Sequence, residues 1–185
     1  MIYRHYATPE AVARAVAEEA FVRPSREGWV HIAVSGGSTP RLLFELLASE
    51  PLASSVQWDR VHLYWVDERC VPPTDVESNY GMTEETLLRH VPIPEGQVHR
   101  IAGEKDPERE AKDYSWLVGS ELPFDGEYPI FDVVILGLGD DGHTSSIFPH
   151  QMELLETDQP YAVGVSPRGQ KRVAMTGPTI LAAKK

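Results

Sequence analysis

The chain has 185 residues, 42% of them apolar and 9% aromatic, which is enough to pack one domain over residues 1–185. Its 28 acidic residues against 17 basic ones give a formal net charge of -11, which repels a phosphodiester backbone or an anionic bilayer and excludes nucleic acid and membrane as expected partners. Cys70 is the only cysteine, so an intrachain disulfide or a thiolate metal cluster is excluded. The N-terminus, Met1 to Ala7, alternates polar and apolar residues without the apolar core of a signal peptide, and no apolar run reaches membrane-spanning length. A cytoplasmic protein acting as a monomer is expected.

Thr8-Pro9 followed by Glu10 marks a capped helix start, and apolar residues at 11, 12, 15, 16 and 20 predict a helix from Pro9 to about Phe21. Trp29 to Ser35 is a buried strand ending at Gly36-Gly37, and Ser38-Thr39-Pro40 opens a helix whose stripe is Leu42, Leu43, Leu46 and Leu47. Val61 to Val66 is a strand, Ser78 to about His90 a helix, and Asp106-Pro107 begins another helix reaching about Gly119. Phe131 to Leu136 is the most apolar strand, followed by shorter ones at Tyr161 to Ser166 and Arg172 to Thr176. Such alternation predicts an α/β fold, three-layered, Rossmann-like and doubly wound, with a mostly parallel sheet and helices on both faces.

Ligands of such sheets bind beyond the carboxyl ends of the strands. Gly36-Gly37-Ser38-Thr39-Pro40 puts flexible backbone and two hydroxyls at a helix start, the outline of a phosphate site, although a plain capped turn uses similar residues. Gly137-Leu138-Gly139-Asp140-Asp141-Gly142 matches the dinucleotide fingerprint formally. Its paired aspartates would face a pyrophosphate, however, and Pro149 cuts short the helix that should follow. The glycines read better as a tight turn that projects Asp141 and His143 into a cleft, a general base with its orienting acid, against the plainer reading of a capping aspartate and a surface histidine.

Asp67-Glu68-Arg69 could orient water, bind sugar hydroxyls or hold a phosphate, or it could be a solvated strand end. Arg168, Lys171 and Arg172 form a basic cluster in an acidic chain and suggest an anion contact, whereas Cys70 is expected to pack rather than react. With no His-x-x-x-His, no clustered thiols and no Gly-x-Ser-x-Gly elbow, a histidine acting on water is the simplest chemistry.

Taken together, Ser35-Gly36-Gly37-Ser38-Thr39-Pro40, Trp65-Val66-Asp67-Glu68-Arg69, Ser78-Asn79-Tyr80, Gly137 through His143-Thr144 to Ile147-Phe148-Pro149, and Ser166-Pro167-Arg168 with Arg172 resemble the 6-phosphogluconolactonase family in order and spacing. Glucosamine-6-phosphate deaminases share the Gly-Gly-Ser-Thr-Pro and Asp-Gly-His elements but typically carry Asn-Glu-Pro after the histidine and Asp-Glu-Tyr at the earlier strand end. The resemblance implies hydrolysis of 6-phosphoglucono-δ-lactone to 6-phosphogluconate, the second step of the oxidative pentose phosphate pathway, without metal or organic cofactor. It makes His143, Asp141, Asp67 and Arg69 the candidate catalytic residues and Gly36, Gly37, Ser38, Thr39, Arg69, Arg168 and Arg172 the candidate substrate-binding residues. Alternatives are a deaminase and a non-catalytic sugar-phosphate-binding homologue. Arg168 stands where the family commonly has lysine. Family members usually continue beyond the equivalent of Lys185 with another strand and helix, so an open sheet edge or core face is expected here.

Overall fold

In the computed structural model, which describes residues 3–124 and 126–185, Thr8 caps the first helix as predicted, its Oγ1 accepting from the amide of Ala11. Met1 and Ile2 of the N-terminal alternation lie outside the described residues. Helix α1 (Pro9–Val16) runs on through a π-helical stretch, Ala17–Val22, into α2 (Arg23–Glu27), and it buries Ala13, Ala17, Ala20 and Phe21. The apolar stripe thus marks a longer, partly widened helical segment. Strand β1 (Val30–Val34) leads into α3 (Ser38–Leu47), which buries Leu43, Phe44 and Leu47, and the short α4 (Leu52–Ser55) precedes β2 (Val61–Trp65). Removing a fully buried ring such as that of Phe44 costs on the order of 3–5 kcal/mol.

β3 (Asp67–Arg69) follows β2 after one residue, and α5 (Asn79–Thr83) continues as a π-helical turn, Glu84–Leu88. β4 (Val98–His99) precedes α6 (Pro107–Glu121), whose cap Asp106 accepts from the amide of Arg109. β5 (Val133–Val134), β6 (Tyr161–Val165), β7 (Lys171–Met175) and α7 (Gly177–Ala182) complete the described strands and α-helices.

The central sheet is parallel, in the order β4-β2-β1-β5, with Val30 to Val34 in register with Val61 to Trp65. This is a Rossmann-like α/β fold. A second, antiparallel sheet, β3-β7-β6, adjoins it, so the late strands predicted at Tyr161 and Arg172 do not extend the parallel sheet. Val66 joins the two sheets: its amide donates to Val34 O, and its carbonyl accepts from Met175 N.

The strand predicted over Phe131 to Leu136 is regular only at Val133–Val134, although the amides of Asp132 and Ile135 also bond to β1 carbonyls. Among the described residues it is the last strand of this sheet, and on its far side Lys184 N donates to Phe131 O and Lys185 O accepts from Val134 N. Beside this edge runs a groove of about 870 Å³, lined by Tyr6, Val16, Ala20, Val133, Ile135 and Lys184.

Candidate active site

β1 is flanked by β2 on one side and by β5 on the other, so the chain leaves the middle of the sheet in one direction and returns in the opposite one. The crevice between the carboxyl ends of β1 and β5 is where such a fold receives a ligand. Ser35 Oγ, just past β1, donates to Ile135 O just past β5 at 2.8 Å and ties the two ends together. α3 then starts at Ser38 with no side chain capping its first amides. Gly36 is required by a close approach: a Cβ there would lie 1.8 Å from Asn79 Oδ1.

The loop after β5 folds back on itself rather than starting a helix, which disposes of the dinucleotide reading. Gly139 N donates to His143 O at 2.8 Å, Gly142 N to Gly139 O at 2.9 Å, and Thr144 Oγ1 to Gly137 O. Ser145, at φ 52°, anchors the loop to the seam of the two sheets, its single hydroxyl proton shared between Val66 O at 3.0 Å and Met175 O at 3.2 Å. Within this frame His143 Nδ1 lies 2.5 Å from Asp141 Oδ1, and that hydrogen bond holds the Asp141 carboxyl below its ordinary value. The imidazole packs on Phe148 with ring centroids 4.7 Å apart. A carboxylate on Nδ1 keeps the proton there and leaves Nε2 as the basic nitrogen. Gly139 has to be glycine for this pair to form, since its Cβ would sit 2.3 Å from His143 Nδ1.

Asp67 and Arg69 lie two residues apart on β3 and therefore share a face, and Arg69 is paired across the strands with Arg172 of β7. Asp67, Arg69, Arg172, His143 and the Gly36–Thr39 loop all line one cavity of about 290 Å³. Glu68 points to the opposite face, where its buried carboxylate accepts from the amides of Arg69, Asn79 and Tyr80 and from Ser78 Oγ. The two acids of the predicted triplet thus do different work: Asp67 faces the cavity, and Glu68 locks the start of α5. Burial raises the carboxyls of both above their ordinary values. Burial also lowers the Arg172 guanidinium, and neighbouring Arg69 lowers it further. The Nε atoms of Arg69 and Arg172 are buried without a hydrogen-bond partner among the described residues.

Arg168 is exposed and lines a second cavity, about 640 Å³, with Glu77, Asp141, Ser166 and Gln170. His143 and Arg172 line both cavities, so the imidazole stands at their junction. The predicted basic cluster is split by strand alternation, since Lys171 turns away to pair with Glu108 at 2.7 Å. Cys70 lines neither cavity, and burial pushes its thiol up to about 11, in keeping with a packing role. Among the described residues there is no group of three or more His, Cys, Asp or Glu arranged to hold a metal, and no helix is long and apolar enough to cross a membrane.

Residues 5–185 match the family model described as glucosamine-6-phosphate isomerases/6-phosphogluconolactonase. The chain belongs to the glucosamine-6-phosphate isomerase/6-phosphogluconolactonase family. Over 185 residues it is 38% identical to the 6-phosphogluconolactonase of Haemophilus influenzae, covering 100% of this chain and 78% of that protein. The crystal structure of a devB protein superposes with a TM-score of 0.94 at 40% identity, over 98% of this chain and 76% of that one. The 6-phosphogluconolactonase of Trypanosoma brucei superposes with a TM-score of 0.85 at 32% identity, over 97% and 78%.

Within this family frame, sequence reasoning missed two residues at the site. Asn79 donates to Asp67 O at 2.8 Å and to its Oδ1 at 3.3 Å, and Ser146 Oγ donates to Asp67 Oδ2 at 2.5 Å. Asn79 stands inside the Ser78-Asn79-Tyr80 motif but carried no assigned role. For Ser146, adjacency to His143 was the only signal.

Proposed function

We propose that this chain hydrolyses 6-phosphoglucono-δ-lactone to 6-phosphogluconate. The observation that carries the reading is the Asp141–His143 pair at the junction of two cavities whose shared wall includes Arg172. Water attacks the lactone carbonyl carbon as His143 Nε2 takes its proton, and the carbonyl electron pair moves onto oxygen. The negative charge develops beside Arg172, which lines both cavities together with His143 and whose position is set by β7 before substrate arrives. Collapse of the tetrahedral species re-forms the carbonyl and breaks the ring C–O bond, and the imidazolium returns its proton to the departing oxygen. Asp141 holds the ring and stabilises the imidazolium through Nδ1. No residue in this sequence of steps calls for a cofactor.

The phosphate lies between the Gly36–Thr39 loop, where the uncapped amides that open α3 favour an anion, and the guanidinium of Arg69, with Arg168 approaching from the second cavity. The substrate is a small phosphorylated lactone, and the curated relatives carry the corresponding name. The test is formation of 6-phosphogluconate from freshly made lactone, corrected for spontaneous hydrolysis, with ammonia release from glucosamine 6-phosphate as control. His143→Ala should lose a factor of about 10² to 10⁴ in rate with an unchanged fold. Full activity in that variant refutes the assigned base. Ammonia release by the wild type, or binding of 6-phosphogluconate without lactone turnover, refutes the activity.

A further inference from the structure

Ser146 follows the catalytic histidine by three residues, is wholly buried, and touches both charged partners at the back of the cavity. Its Oγ donates to Asp67 Oδ2 at 2.5 Å and accepts from Arg172 Nη1 at 3.3 Å. The direct separation between Arg172 Nη1 and Asp67 Oδ2 is 3.8 Å, too long for a hydrogen bond, so the hydroxyl is the link between them. A hydroxyl has one proton, and a guanidinium can only donate. With Arg172 N–H directed at Oγ, the Ser146 proton is committed to Asp67, and Oδ2 has to accept it. The opposite oxygen, Oδ1, accepts from Asn79.

We infer that Ser146 is a positioning residue for the lactonase reaction: its hydroxyl bridges Asp67 and Arg172 and fixes the Asp67 carboxylate, in its ionised form, at the wall of the cavity that holds His143. The inference rests on the activity proposed above. Burial favours the neutral acid at Asp67, and the bond from Ser146 is the largest influence opposing it, ahead of Arg69 and Arg172. The guanidiniums of Arg69 and Arg172 share one face of the antiparallel sheet with that carboxylate, and its charge keeps two like charges side by side there. Losing the hydroxyl removes both the donor that holds Asp67 ionised and the acceptor that aims Arg172.

The test is the pH dependence of kcat/KM for Ser146→Ala. A hydrogen bond to a charged group corresponds to about one to two pH units, so the acid limb should move upward by that amount while the circular dichroism spectrum is unchanged. Ser146→Cys, which keeps a small group at this position but donates weakly, should show the same shift. In an Asp67→Asn background, Ser146→Ala should no longer move the acid limb, because the group it acts through is already neutral, and only the cost of the lost Arg172 acceptor should remain in kcat/KM. An unshifted acid limb in Ser146→Ala, or a limb that moves by the same amount in the Asp67→Asn background, overturns the positioning role while leaving the lactonase reading in place. A wild-type protein without lactonase activity overturns both.

Discussion

Replacing Gly139 by alanine tests the proposed catalytic geometry without touching a reacting group. The added Cβ would meet His143 Nδ1 at 2.3 Å and Asp141 Oδ1 at 2.8 Å, whereas ordinary contact begins at 3.4 Å. The imidazole therefore has to retreat by about 1 Å, and a misplacement of that size at a catalytic group costs roughly 10²-fold in rate. The backbone at Gly139 does not have a left-handed φ, so alanine brings no conformational strain to confuse the result. The loop bonds from Gly139 N to His143 O and from Gly142 N to Gly139 O use main-chain atoms that alanine also has. Gly139→Ala should then show kcat reduced by about 10², with thermal stability close to wild type. The assay is initial-rate lactone hydrolysis against a blank, paired with a melting curve. If kcat stays within about twofold of wild type, the imidazole does not need the position given by the Asp141 bond, and the assignment of His143 as an oriented base is wrong.

Arg168→Ala should raise KM with little change in kcat, because a charge approaching from the second cavity grips ground and transition states alike; a pure kcat loss would move Arg168 to the reacting carbonyl. Glu68→Ala strips acceptors from three amides and one hydroxyl in a buried site and should destabilise by about 3 kcal/mol, or about 10 °C in melting temperature; an unchanged melting curve refutes the proposed lock on α5.

Away from the site, His31, His62 and His99 lie together on neighbouring strands, with His62 Nδ1 3.0 Å from His99 Nε2 and His31 Nδ1 3.2 Å from the Tyr64 hydroxyl. Burial and their mutual proximity lower His31 and His99, the latter to about 4, and burial lowers His62, while Asp132, Glu121 and Lys184 are the charged groups around them. Groups lowered on folding take up protons first in the unfolded chain. Stability is therefore full above about pH 6.5 and declines as pH falls toward about 4. Urea unfolding across that range should show the decline, and His99→Gln should flatten it; a slope unchanged by the substitution assigns the acid sensitivity elsewhere.

Local chemistry made much of this protein legible from its sequence. The Thr8 and Asp106 caps, the burial of Leu43 and Leu47 and the turn at Gly139 to His143 depend on near neighbours and on periodicity, so short windows carry them. The Asp141–His143 pair, two residues apart, is of the same kind. Residues distant in sequence came together only through tertiary structure. The pairing of Arg69 with Arg172 follows from β3 running antiparallel to β7, about a hundred residues later, whereas the three charged residues read as the end of the preceding strand and not as a strand of their own. The apolar run at Phe131 to Leu136 looked like the strongest strand, yet its regular part, Val133–Val134, is limited to its pairing with Ile32 and Ala33 of β1. The same strand geometry sent Asp67 toward the cavity and Glu68 away from it, because successive side chains of a strand point to opposite faces. Which face came to line the cavity depended on the packing of the two sheets around Val66, a contact that no short segment of the chain encodes.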